Sequence, residues 1–304
     1  MGATDPRPAL RARGALLEGV PGLTGLRGPA AALHRALDRR LARLCREVAG
    51  EEWCVPAALS LDTLARADYF ASFPQWLTLA AHLRDDEDAL RGVAMSHAPA
   101  AAVAQAVAPA GAALPPAVCY HVYDALAGQQ LTGPRYVTAQ GTCWRHEGDR
   151  HAALERGWAF TMREIVCVGT AREVDDFVAG CEAHVLAFAA TLGLHATVEP
   201  ATDPFFAPSA RGKRLLQQIQ GLKRELLLPV DAAQGTAAAS FNRHETRFGE
   251  AFDIRASDGR AAHTGCVAFG LERWTLAVLA EYGLEPADWP SLLLHHDDPC
   301  TGPQ

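Results

Sequence analysis

Lysine is nearly absent from this chain. Only two of its 304 residues are lysines, Lys213 and Lys223, and both fall in one segment, "SARGKRLLQQIQGLKRELLLP", beside Arg211, Arg214 and Arg224. The formal net charge of -7 argues against the broad basic surface that nucleic-acid binding normally needs. An acidic chain with one concentrated basic element points to a small acidic partner or a phosphate, or to a solvated helix face. Long apolar runs are missing too. The Ala-rich stretch "APAAAVAQAVAPAGAALPP" is broken by prolines, and no run reaches the length of a bilayer span. The N-terminus carries arginines without the apolar core of a signal peptide, so a cytoplasmic location is expected. The eight cysteines, Cys45, Cys54, Cys119, Cys143, Cys167, Cys181, Cys266 and Cys300, contain no CxxC pair, which excludes a zinc ribbon. A cytoplasmic chain should not use them as a disulfide frame. Any metal site must gather its ligands from far apart in sequence.

What is present reads as globular, with 49% hydrophobic and 21% charged residues and ample length for a core. Residues 1–28, rich in Gly, Pro and Arg, are expected to be irregular. Residues 29–295 are expected to form one domain, and 296–304 a flexible tail. "PAAALHRALDRRLARLCREVA" has the apolar spacing of an amphipathic helix. "EEWCVP" reads as a short strand, 74–110 as largely helical, and "AVCYHVYDAL", "RYVTAQGTCWRHE" and "WAFTMREIVCVG" as strand-like or mixed. "AREVDDFVAGCEAHVLAFAATLG" is a helix, "HATVEP", "AAASFNRHE", "AFDIRA" and "AAHTGCVAFG" are strand candidates, and "LERWTLAVLAEYG" is a helix stopped by Gly283. Strands arrive largely without helices between them. That predicts an α+β fold with an antiparallel sheet flanked by helices.

Within "FTMREIVCVG" the alternation of a strand puts Phe160, Met162, Glu164, Val166 and Val168 on one face. Glu164 is the one carboxylate among four apolar neighbours, so it must be neutralised, hydrogen-bonded or bound to a metal. Cys119, Glu164 and Cys266 together would make a zinc set with an open position. They would equally make two buried thiols beside a carboxylate paired to arginine. "CWRHEGDRHAALERGWAF" aims Arg145 and Glu147 together and follows them with Arg156 and Phe160. Such a strand, loop and strand can hold phosphates through arginine and a base through the carboxylate and the ring, or can be an exposed hairpin with surface ion pairs. "HTGCVAFGLERW" ends a strand at Gly270, where glycine permits a sharp turn, and places Arg273 above the sheet.

Together these segments resemble a known family. "CWRHE" with "RGWAFTMRE" is similar to motif 2 of the class II aminoacyl-tRNA synthetases, and "GCVAFGLERW" to motif 3. The series "VCYHVY", "CWRHE", "FTMREIVCVG", "TDPFF", "SFNRHETRFGEAFDIR" and "HTGCVAFGLERW", with "ALDRRLARL" and "YFASFP", resembles the amino acid:[carrier protein] ligases from about residue 33 to 284. Those enzymes are truncated relatives of the archaeal-type seryl-tRNA synthetases.

The resemblance implies a class II core working as a homodimer, with Pro56 as the motif 1 proline near the dimer interface. It implies Zn2+ held by Cys119, Glu164 and Cys266, its open position taking the amino group of the substrate. It also implies ATP with Mg2+, contacted by Arg145 at the α-phosphate and the incoming carboxylate, Glu147 at the adenine amine, Arg156 at the γ-phosphate, Phe160 against the ring and Arg273 over its other face or at the phosphates. Arg145, Glu147 and Arg273 would be the catalytic set. Asn242 and Glu245 would face the amino acid, and these two with Glu250 are the candidates for holding magnesium, since "GTAAASFN" offers no carboxylate. The implied reaction is activation of a small amino acid, glycine or alanine, as its adenylate. Transfer to the phosphopantetheine thiol of an acidic carrier protein would follow. A basic helix with Arg211, Lys213, Arg214, Lys223 and Arg224 would dock the carrier. Neither tRNA nor membrane is expected as a partner. The alternative is a free-standing enzyme that charges tRNA with serine or another small amino acid.

Overall fold

The computed structural model describes residues 3–47, 50–206, 221–231 and 235–294. Its centre is a seven-stranded sheet built from β1 (Glu51–Cys54), β2 (Arg135–Trp144), β3 (Ala159–Gly169), β4 (Thr197–Pro200), β5 (Lys223–Pro229), β6 (Gly235–Glu245) and β7 (His263–Gly270). The order across the sheet is β1-β2-β3-β7-β6-β5-β4. Only β1 and β2 run parallel, and every other neighbouring pair is antiparallel. The expectation of a largely antiparallel sheet holds.

One face is covered by three helices, α1 (Gly28–Glu47), α3 (Ala171–Thr191) and α5 (Leu271–Tyr282). The short helix α2 (Cys119–Ala125) packs on the opposite face. Leu33, Leu37 and Leu41 of α1 repeat every four residues and are fully buried, with Val178 of α3 and Trp274 of α5, against Ile165, Phe241 and Val267 of the sheet. Each such side chain contributes about 1.5–3 kcal/mol by leaving water. Thr170 opens α3 with a capping box. Its backbone N–H donates to the Glu173 carboxylate at 2.7 Å, while its hydroxyl accepts from the Glu173 N–H at 3.4 Å. At Gly265 an added Cβ would meet Val174 at 2.8 Å, so glycine lets α3 lie close on β7.

Several expectations are corrected. The described part of the N-terminal stretch, residues 3–28, is not irregular. It holds a helix, Arg7–Ala12, and a hairpin of Leu16–Glu18 with Leu26-to-Thr24 pairing, and Leu10 and Leu16 join the main core. "AVCYHVYDAL" is helix, not strand. All five residues from Cys119 to Tyr123 are buried, as is Leu126, so the helix is enclosed on more than one side and shows no single apolar stripe. "AFDIRA" ends the short helix α4 (Arg247–Ala251) and turns, forming only isolated bridges. The 74–110 region contains two helices, Glu87–Ala94 and Pro99–Ala106, preceded by Leu79–Ala80, a strand of a three-stranded sheet. Gly270 has φ of -87°, open to any residue, so no sharp glycine turn is needed there. Arg145 and Glu147 lie just beyond the end of β2 rather than on it. The segment 296–304 lies outside the described residues, and among those described no helix is long and apolar enough to cross a membrane.

Candidate active site

The face of β3 away from the long helices floors a cleft of about 420 Å³. Three polar groups meet there. Cys119 is the first residue of α2, Glu164 the middle of β3, and Cys266 the middle of β7. Cys266 pairs with Val166 and Ala268 with Glu164, so Cys266 and Glu164 are diagonal neighbours on one face of adjacent strands. One potential ligand atom from each of the three residues lies within 4.8 Å of the others. Glu164 is only 2% exposed, and its Oε2 accepts the backbone N–H of Cys119 at 2.5 Å.

The electrostatics of this trio disfavour negative charge. Burial pushes the Glu164 carboxyl up, partly offset by the Cys119 N–H. The hydrogen bond with Cys119, then burial, pushes the Cys266 thiol well up. Cys119 is pulled down by that same bond, yet burial and Glu164 leave it raised. A cation at their centre would reverse this balance. Zinc bonds of about 2.3 Å to sulfur and 2.0–2.2 Å to oxygen put tetrahedral ligand atoms roughly 3.5 Å apart. The observed clustering is compatible with that set, and two thiolates with one carboxylate leave a fourth position free. Among the described residues no other trio of His, Cys, Asp or Glu converges in this way.

The expected nucleotide residues Arg145, Glu147, Arg156, Phe160 and Arg273 line the same cleft. Arg145 donates through Nε to the carbonyl of Pro116 at 2.9 Å. Its guanidinium lies 5.2 Å from the Trp76 ring centroid and 5.3 Å from that of Phe160. Arg156 is hydrogen-bonded to the Glu147 carboxylate. Arg273 is tied to the carbonyls of Glu155 and Ala237, each at 2.7 Å, and burial followed by the nearby Arg145 lowers its pKa. Next to it Glu272 accepts the Thr161 N–H at 2.9 Å, which anchors the strand that carries Phe160.

Asn242 and Glu245 also line the cleft. The Asn242 amide approaches Ser240 Oγ at 3.0 Å and Cys266 Sγ at 3.5 Å. Glu245 is exposed, with a left-handed φ of 51° at a bulge. Glu250 sits on α4, accepts a hydrogen bond from Thr246 at 2.8 Å, and is not part of the cleft lining.

The expected docking helix does not include Lys223 and Arg224. Both are on strand β5. Lys223 points into the cleft, its Nζ 2.6 Å from Asp203 and 3.1 Å from Glu225, and its side chain is 12% exposed. Arg224 pairs with Glu182 of α3 at 2.8 Å. The physical reason is the period. Leu226 and Leu228 are the buried positions, which alternate as a strand does. Arg211, Lys213 and Arg214 lie outside the described residues. Asp203, Lys223, Glu225 and His244 are cleft residues that the sequence reading missed. The two-residue spacing of Lys223 and Glu225 was the available signal.

The fold is that of the class II aminoacyl-tRNA synthetases. A seryl-tRNA synthetase from M. kandleri, solved with A. aeolicus tRNASec, superposes with a TM-score of 0.84 at 22% identity, over 96% of this chain and 60% of that one. The type-2 serine–tRNA ligase of Methanococcus aeolicus is 25% identical over 87% of this chain, which spans 53% of that protein. Amino acid–[acyl-carrier-protein] ligase 1 of Bradyrhizobium diazoefficiens is 35% identical over 266 residues, 86% of this chain and 81% of that protein. The chain belongs to the amino acid–[acyl-carrier-protein] ligase family, and it is a ligase. No model of a protein family matches it.

Proposed function

We propose that this ligase activates a small amino acid with ATP and passes it to the phosphopantetheine thiol of a carrier protein. The observation that carries the reading is the meeting, in one cleft, of Cys119, Glu164 and Cys266 with Arg145, Glu147, Arg156, Phe160 and Arg273. In the first step a carboxylate oxygen of the amino acid attacks the α-phosphorus, and the bond to the bridging oxygen breaks as pyrophosphate leaves. In the second the carrier thiol, having lost its proton to solvent, attacks the acyl carbon, and AMP departs with its oxygen. The carboxylate is already a nucleophile, so the protein's task is positioning and charge neutralisation.

Arg145 lines the same cleft as the trio and is near enough to Glu164 to lower its pKa, and it binds the carboxylate and the α-phosphate together. Glu147 and Arg156, paired with each other, separate to take the adenine amine and the γ-phosphate. Phe160 and Arg273 enclose the base. Cys119, Glu164 and Cys266 would hold a zinc ion, which supplies an electron-pair acceptor for a neutral α-amine. Selection for α-amino acids follows from that, and glycine or alanine is the expected substrate. Magnesium enters with ATP, and of its candidates Asn242 and Glu245 belong to the cleft lining, which favours them over Glu250. We take the working unit to be a homodimer.

Pyrophosphate exchange against each amino acid, followed by the mass of a holo-carrier after reaction, tests this. Exchange with glycine or alanine and a carrier heavier by one aminoacyl group is expected. No exchange with any amino acid, or charging of tRNA in place of the carrier, would sink it.

A further inference from the structure

His244 stands beside the trio, and none of the roles above uses it. It is the residue bulged out of β6 between Arg243, opposite Gly265, and Glu245, opposite Thr264. Its ring is clamped between Phe248, at 4.9 Å and 72°, and Tyr123, at 6.2 Å and 78°. Nδ1 lies 3.1 Å from Thr264 Oγ1 and 3.4 Å from the Tyr123 hydroxyl. Nε2 lies 3.9 Å from Cys266 Sγ. A metal-bound thiolate can only accept a hydrogen bond, whereas a hydroxyl can give one. The proton of the neutral ring therefore belongs on Nε2, and Nδ1 accepts from a hydroxyl. Burial, then the nearby Arg247, lowers the pKa of the ring.

We infer that His244 is a positioning residue for the metal centre, donating its Nε2–H to the Cys266 sulfur and so drawing charge off that thiolate. A thiolate that gives less charge leaves the bound ion a stronger acceptor for the substrate amine. The Asn242 amide, 3.5 Å from the same sulfur, acts in the same sense. This rests on the metal reading of the site given above.

Cobalt-substituted protein makes the bond visible, because the thiolate-to-cobalt absorption band reports charge on sulfur. His244→Phe removes the donor at similar volume, and His244→Gln keeps a side-chain N–H. Should the Phe variant fail to fold, His244→Ala is the second donor-free variant. The donor-free variant should keep one cobalt per chain, shift the band to longer wavelength, and raise the KM for the amino acid about 10-fold with the KM for ATP unchanged. His244→Gln should restore both readouts towards those of the unaltered protein. An unshifted band in the donor-free variant, or a Gln variant as shifted as the donor-free one, would overturn the inference. Loss of cobalt from the donor-free variant would also overturn it, making the ring a ligand. Absence of a thiolate-to-cobalt band in the unaltered protein would instead overturn the metal reading itself.

Discussion

Cys119, Glu164 and Cys266 come from a helix start and two strands, and each is raised in pKa by its surroundings. Three buried groups that resist negative charge are stabilised together only by a cation or by staying protonated. Cys119→Ala and Cys266→Ala should each lose bound metal and amino-acid-dependent exchange together, while circular dichroism shows the fold intact. Metal retained at the unaltered stoichiometry in either variant would remove that cysteine from the ligand set. Arg145 serves a different end, since its guanidinium is held over Trp76 and Phe160 with its Nε fixed by Pro116. Arg145→Ala should lower the rate of adenylate formation about 100-fold or more without changing metal content. A variant that altered metal content instead would place Arg145 in support of the trio rather than the phosphates.

Among the elements, strand β5 differs most from expectation. Lys223 bridges Asp203 and Glu225 in the cleft. Removing it takes one cation away from two partly buried carboxylates, so Lys223→Met should cost about 3 kcal/mol of stability. Arg224→Met, which breaks a pair at the edge of α3, should cost under about 1 kcal/mol. Denaturant unfolding decides between this and a docking role, which predicts two stable variants with impaired carrier loading. Burial pulls the Lys223 ammonium down, but Asp203 and Glu225 more than offset it, and its pKa is raised. Its contribution to stability is therefore complete below the ordinary lysine value of about 10.4 and is lost as pH rises through the higher folded value. The stability deficit of Lys223→Met should be flat from pH 7 to 9, and a deficit that shrinks across that window would contradict the assignment.

Much of this architecture was legible in the residues. Period-two alternation marked β3, and apolar positions at helical spacing in "PAAALHRALDRRLARLCREVA" marked α1. Glu164 stood out because a carboxylate on an apolar strand face needs a partner. The rest was hidden for physical reasons. The helix at Cys119 is short and apolar on more than one side, so its run resembles a buried strand. In β5 the charged residues come first, and lysine next to arginine reads as surface. His244 reaches Cys266 from a bulge, and a bulge leaves no trace in local composition.

Across the whole molecule the acidic balance, with its lysines concentrated in one segment, bears on the choice of acceptor. An acidic carrier fits a basic segment, and Lys213 and Arg214 remain the residues proposed to meet it. Reversing both charges should impair carrier loading several-fold while leaving pyrophosphate exchange unchanged. Equal loading would place docking elsewhere on the surface. A pulldown that recovers an acidic holo-carrier rather than tRNA speaks to the same choice.

The proposed reaction depends most on an ion gripping the substrate nitrogen beside bound nucleotide. Exchange measured on chelated protein, then during titration with zinc, tests it directly. Activity should vanish on chelation and return in full at about one zinc per chain. Full exchange in protein shown to be free of metal would contradict it.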